Sequence, residues 1–154
     1  MVMKQIISRD TPLNELTLRR YEKPGNLGSR DLIRKLCLSI GLLQPGDSRD
    51  IIVDVLFTML EAGDSIPSEE IRLRVIDHRK TNNMPLVGVA SSNIRRQLKR
   101  LRELFLIEKI ANKYRVYENA HITNTFEEKL ESYLLKSIIG RVKEYYRQVD
   151  IAFN

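Results

Sequence analysis

Cysteine is almost absent from this chain. Its 154 residues contain one, Cys37, so no intrachain disulfide can form, and a reducing compartment such as the cytoplasm is expected. Cys37 itself reads as a small buried hydrophobe on a helix. Long apolar runs are missing too. None approaches the roughly 20 residues that span a bilayer, so no membrane partner is expected. Met1 to Asp10 shows no long apolar core and no small-residue cleavage site, so no secretory leader is expected. Histidine is scarce, and His78 and His121 stand apart from any cysteine or carboxylate cluster at metal-ligand spacing. No glycine-rich phosphate loop and no nucleophile–base pair is legible. Catalytic residues, a cofactor and a metal are therefore not expected, and the chain is not read as an enzyme.

What is present is a globular mixture, 42% hydrophobic and 30% charged, of a size suited to one compact domain with decorations. The net charge is +6, which by itself says only that acidic partners are favoured. Its placement is more informative. Between Ala90 and Tyr117 lie eight basic residues (Arg95, Arg96, Lys99, Arg100, Arg102, Lys109, Lys113 and Arg115) against Glu103 and Glu108, a balance of +6. The remainder of the chain holds 18 basic and 18 acidic residues, which cancel.

Residues 1–28 are weakly patterned, broken by Pro12, Pro24, Gly25 and Gly28, and read as an N-terminal arm. Ser29 caps a helix carrying Leu32, Ile33, Leu36, Cys37 and Ile40, which Gly41 ends before a turn at Pro45-Gly46. A second helix opens at Asp47 or Ser48, carries Ile51, Ile52, Val55, Leu56, Met59 and Leu60, and stops near Gly63. Ser68, Glu69 and Glu70 announce a third, with Ile71, Val75 and Ile76, fading near Lys80. Thr81 to Pro85 is a loop. Ser91 or Ser92 then caps a helix whose Ile94, Leu98, Leu101, Leu104 and Phe105 occupy an arc roughly 120° wide. An extended run from Phe105 to Ile110, a tight turn at Ala111-Asn112 and a return through Tyr114 to Tyr117 make a short basic hairpin. Thr125 and Glu128 form a capping-box pair for a last helix running to about Val149. That helix shows two adjacent apolar seams, Leu130, Leu134, Ile138 and Leu135, Ile139, Tyr146. One seam suffices to cover its own domain; two point to a partner.

Helix, helix, loop, basic helix and basic hairpin is the order of a winged helix-turn-helix. A major groove about 12 Å wide admits one α-helix, and the N-terminal part of that helix meets base edges. Ile94, Leu98, Leu101 and Leu104 would hold it to the domain. Arg95, Arg96, Lys99 and Arg100 would face DNA, Asn93 could pair with adenine, and Ser91 and Ser92 suit a phosphate. Asn112, Lys113 and Arg115 on the hairpin would reach a flanking phosphate or the minor groove. The run Ser91 to Lys109 resembles the recognition helix and first wing strand of bacterial and archaeal winged-helix regulators of the ArsR and MarR kind. There, two leucines three apart are followed by a polar pair and a "small–Gly–Leu–Ile" exit. The chain departs from that pattern at Phe105, which stands where the family prefers glycine, so the exit turn must be strained or built differently. The loop before the recognition helix is also longer than usual. The paired cysteines of the metal-sensing members are missing, so metal regulation is not carried over.

The expected architecture is mainly α: an arm over 1–28, a winged-helix DNA-binding domain with an extra N-terminal helix over 29–122, and a C-terminal dimerisation helix over 123–154. The expected function is sequence-specific duplex-DNA binding in transcription regulation, as a homodimer. The alternative is a winged-helix protein-interaction module in a transcription or replication assembly.

Overall fold

The computed structural model describes Glu15, Thr17 and residues 19–154; most of the expected arm lies outside the described residues. The elements run α1 (Ser29–Ser39), α2 (Ile51–Ala62), β1 (Ile66–Pro67), α3 (Ser68–Thr81), α4 (Ser91–Glu103), β2 (Ile107–Ile110) and β3 (Lys113–Val116). A 3-10 turn (Tyr117–Asn119) leads into α5 (Ile122–Thr125), a π-helical segment (Phe126–Leu135) and α6 (Lys136–Phe153). The backbone stays helical through Thr125 and Lys136, so these last three pieces form one long helix. This is the mainly α winged-helix architecture expected, with the extra helix in front and the long helix behind.

The segment Ile51-Ile52-Val53-Asp54-Val55-Leu56 is apolar on nearly every face, and a helix of that kind must be enclosed. Accordingly α2 packs against α1, α3, α4 and β3, and Ile52, Val53, Val55, Leu56 and Met59 are buried. The stripe Ile94, Leu98 and Leu101 closes the core from the α4 side. Each such side chain contributes on the order of 1.5–3 kcal/mol when fully buried.

The wing is larger than the hairpin read from sequence. β3 is central in an antiparallel sheet of order β1-β3-β2, with Ile66 opposite Tyr114 on one side and Lys109 opposite Tyr114 on the other. A two-residue strand is too short to alternate visibly, and Pro67 argues against one except at an edge, where β1 sits. The hairpin turn is as expected: Ala111 and Asn112 have φ of 50° and 65°, the left-handed pair that suits a two-residue connection.

Helix ends fall close to their expected places, but the caps differ. Gly28, Asp50, Pro67, Ala90 and His121 occupy the cap positions, and no side chain among them accepts a capping hydrogen bond. Thr125, expected to open the last helix, lies buried one turn inside it, because the helix begins at Ile122. Gly41 and Gly63 end α1 and α2 in the left-handed conformation. Phe105 does the same after α4, with φ 59°, a conformation costing a non-glycine residue about 1–3 kcal/mol. Its ring meets the edge of Tyr117 at 6.1 Å between centroids, a contact that offsets part of that strain.

The two seams of the last helix merge. Over Lys136–Phe153 the residues Ile138, Ile139, Val142, Tyr145, Tyr146, Val149 and Phe153 fall within an arc roughly 120° wide, and no residue of α6 is buried. Among the described residues, no helix is long and apolar enough to cross a membrane.

Candidate nucleic-acid interface

The basic helix α4 is fixed on three sides. Its apolar stripe enters the core, and on one flank Ser91 Oγ donates to Glu69 Oε2 on α3 at 3.3 Å. On the other flank Asn93 Nδ2 donates to the Gly88 carbonyl at 2.7 Å and Asn93 Oδ1 accepts from Gln97 Nε2 at 3.1 Å. Arg100 donates to Gln97 Oε1 at 2.8 Å and to the Leu42 carbonyl at 2.6 Å. What remains open is the side opposite the stripe. Ser92, Arg95, Arg96, Lys99 and Glu103 are exposed there, with Arg102 exposed nearer the Ser91 flank, and among the described residues none of these side chains forms a hydrogen bond or ion pair.

The residues expected to meet DNA therefore divide. Ser92, Arg95, Arg96 and Lys99 share the open face, and Asn112 and Lys113 are exposed at the tip of the wing. Ser91, Asn93, Arg100 and Arg115 are instead engaged within the fold. Arg115 Nε donates across the hairpin to Glu108 Oε2 at 2.8 Å, and that carboxylate also accepts from the Glu118 backbone N–H at 2.7 Å. Asn93 in particular has its amide nitrogen and oxygen both occupied, because the loop before α4 folds back onto the helix's first turn. Linear reading placed Asn93 by residue type and could not see that return.

The loop from Asn83 to Ala90 is held by three carbonyl contacts. Arg79 Nη1 donates to Pro85 O at 2.8 Å, Arg72 Nε to Val89 O at 2.8 Å, and Asn93 Nδ2 to Gly88 O. Gly88 has φ +78°, and a Cβ there would lie 3.0 Å from Asn93 Nδ2. Both the conformation and the close approach call for glycine. Arg72 and Arg79 as clamps were not legible in the sequence; Gly88 in a loop of otherwise apolar residues was the only signal.

Arg79 belongs to a buried ionic cluster that sets α3 against α2. Asp54 is 1% exposed and Arg79 4%. Asp54 accepts from Arg79 Nε at 3.0 Å and Nη2 at 2.6 Å, and from Arg30 Nε at 3.0 Å. Asp50, one turn earlier, accepts from Arg30, Arg34 and Arg79. Burial alone would raise the Asp50 carboxyl, but the hydrogen bonds from Arg30 and Arg79 outweigh it and hold it below its ordinary value. The sequence signal was a lone pair of aspartates, one turn apart, on a helix otherwise made of core residues.

Burial pushes the Cys37 thiol up to about 12, so it is inert at neutral pH. Among the described residues, no three histidine, cysteine or carboxylate side chains come together as a metal site. No protein-family model, curated protein or solved structure matches the chain. The generic winged-helix architecture thus stands on the fold itself, and the likeness to regulators of the ArsR and MarR kind on the run Ser91 to Lys109 alone.

Proposed function

We propose that the protein is a sequence-specific duplex-DNA-binding transcription regulator, related to the ArsR and MarR kind, in which α4 enters the major groove and the wing meets flanking phosphates. The observation that carries this reading is the open face of α4: Arg95, Arg96 and Lys99 are exposed, form no hydrogen bond or ion pair among the described residues, and lie away from the stripe that fixes the helix to the core. Arginine offers guanine a bidentate fork, and Ser92 with the uncapped first-turn N–H groups suits a phosphate. The reading includes no catalysis, and a reducing, cytoplasmic setting accompanies it. The test is fluorescence-anisotropy titration with random-sequence duplex over a range of salt. Log affinity should fall linearly with log salt, with a slope near −0.9 per phosphate contact. Absence of binding even at low salt would transfer the fold to the protein-interaction alternative.

The same reading makes the protein a homodimer through α6. An exposed apolar arc on an 18-residue helix with no buried residue supports it, since monomers rarely expose so continuous a patch. Two protomers would present α4 to successive major grooves about 34–36 Å apart. Sedimentation equilibrium should give a dimer for the native chain and a monomer for Val142→Asp/Tyr145→Asp. A monomeric native chain would remove this part of the reading.

A further inference from the structure

Two apolar side chains beside the basic face have no role in the core. Leu86 is 44% exposed and Val87 58%. They lie between Pro85 and Gly88, whose carbonyls, with that of Val89, are the ones clamped by Arg79, Asn93 and Arg72. The tip is therefore a displayed feature with a fixed backbone rather than slack in a long loop. Its position follows from the helix. Asn93, which grips Gly88, lies roughly 60° around α4 from Arg96. Gly88, the residue next to Val87, thus lies on the Arg96 side of the open face, as Glu69 of α3 lies on the other through Ser91.

We propose that Leu86 and Val87 form a second, apolar reading element that packs on the 5-methyl group of a thymine next to the base pair met by Arg96. The inference rests on the DNA-binding reading of the same face. A polyanion is the partner that the net positive charge of Arg95, Arg96 and Lys99 against Glu103 fits, and the thymine methyl is the apolar group that its major groove displays. Because the clamps fix the tip before binding, little ordering cost is added on contact. The extra length of this loop then has a use: it carries the chain out to the rim of the groove and back to Gly88.

The test uses the duplex that the native chain enriches from a random-sequence pool. Thymines are replaced one at a time by deoxyuridine, which removes only the methyl. The native protein should lose about 4-fold in affinity at a thymine beside the Arg96-dependent base, the worth of one buried methyl. Leu86→Ser/Val87→Ser should bind the unmodified duplex more weakly and be indifferent to deoxyuridine at that position, with its melting temperature unchanged. Native binding that ignores deoxyuridine at every position would overturn the proposal while leaving DNA binding intact. So would a variant that still loses 4-fold on the substituted duplex. A native protein that binds no duplex at any salt would overturn both.

Discussion

The arginines of this molecule form two groups. Arg30, Arg79, Arg100 and Arg115 have acceptors inside the fold, whereas Arg95, Arg96 and Arg102 project from α4 into solvent. Residue type does not separate them; the acceptors around them do. Asp50 and Asp54 lie one turn apart on α2 and draw Arg30 and Arg79 inward, because a buried carboxylate must be paired. On the outer face of α4 the acid is Glu103, exposed and forming no ion pair among the described residues, so those cations cost little to leave in water and remain available to an anion. The first group builds the platform and the second group is displayed on it.

Breaking the first group should have the largest effect. Arg79→Ala leaves Asp54 buried with fewer donors and frees the Pro85 carbonyl, so unfolding in urea should show a loss of about 3–5 kcal/mol. A loss under about 1 kcal/mol would mean that the cluster is not what sets α3 on α2. Acid should sharpen the same point. The Asp50 carboxyl is held below its unfolded value of 3.8, so its contribution is present above that pH and disappears as pH falls through the lowered folded value. The urea midpoint of the native chain should drop in that range, and Asp50→Asn should flatten the drop. Two curves of equal slope would detach Asp50 from acid stability.

Arg96 tests the second group. Arg96→Ala should leave stability within about 0.5 kcal/mol and weaken binding to a selected duplex by about 1–3 kcal/mol. Binding to scrambled DNA should weaken less. Equal losses on both duplexes would make Arg96 a phosphate contact rather than a reader of bases.

Most of the fold was legible because helices announce themselves by period. The spacing of Ile51 to Met59, of Ile71 and Val75, and of Ile94, Leu98 and Leu101 placed α2, α3 and α4 within a few residues. Phe105 was legible as a problem, and its left-handed backbone is the form the problem takes. What escaped was everything decided by return of the chain on itself. β1 is two residues long and needs β3 to exist. Asn93 and Arg100 look like reading residues until the loop carbonyl of Gly88 and the Leu42 carbonyl after α1 come beside them. The caps escaped for a related reason: Ser91 faces Glu69 rather than its own helix. The apolar arc of the last helix was legible as two seams, since their spacings of 4 and 7 residues are one and two helical turns, and their merger needed the π-helical segment and the helix after it to be seen together.

The wing repeats this division two residues apart, in Lys113 and Arg115, which allows the finest test. Lys113 is exposed at the turn, and Arg115 is paired with Glu108 across the hairpin, both half-buried. Arg115→Ala should cost about 0.2–1 kcal/mol of stability, the range for a cross-strand pair, and leave the salt slope of DNA binding unchanged. Lys113→Ala should do the reverse, with stability unaltered, affinity for selected and scrambled duplex reduced alike, and the slope shallower by about 0.9. If Arg115→Ala also lowers the slope, the Glu108 pair opens on DNA and the division between the two groups is a property of the free protein only. If neither changes it, the wing stands clear of the phosphates and α4 binds without it.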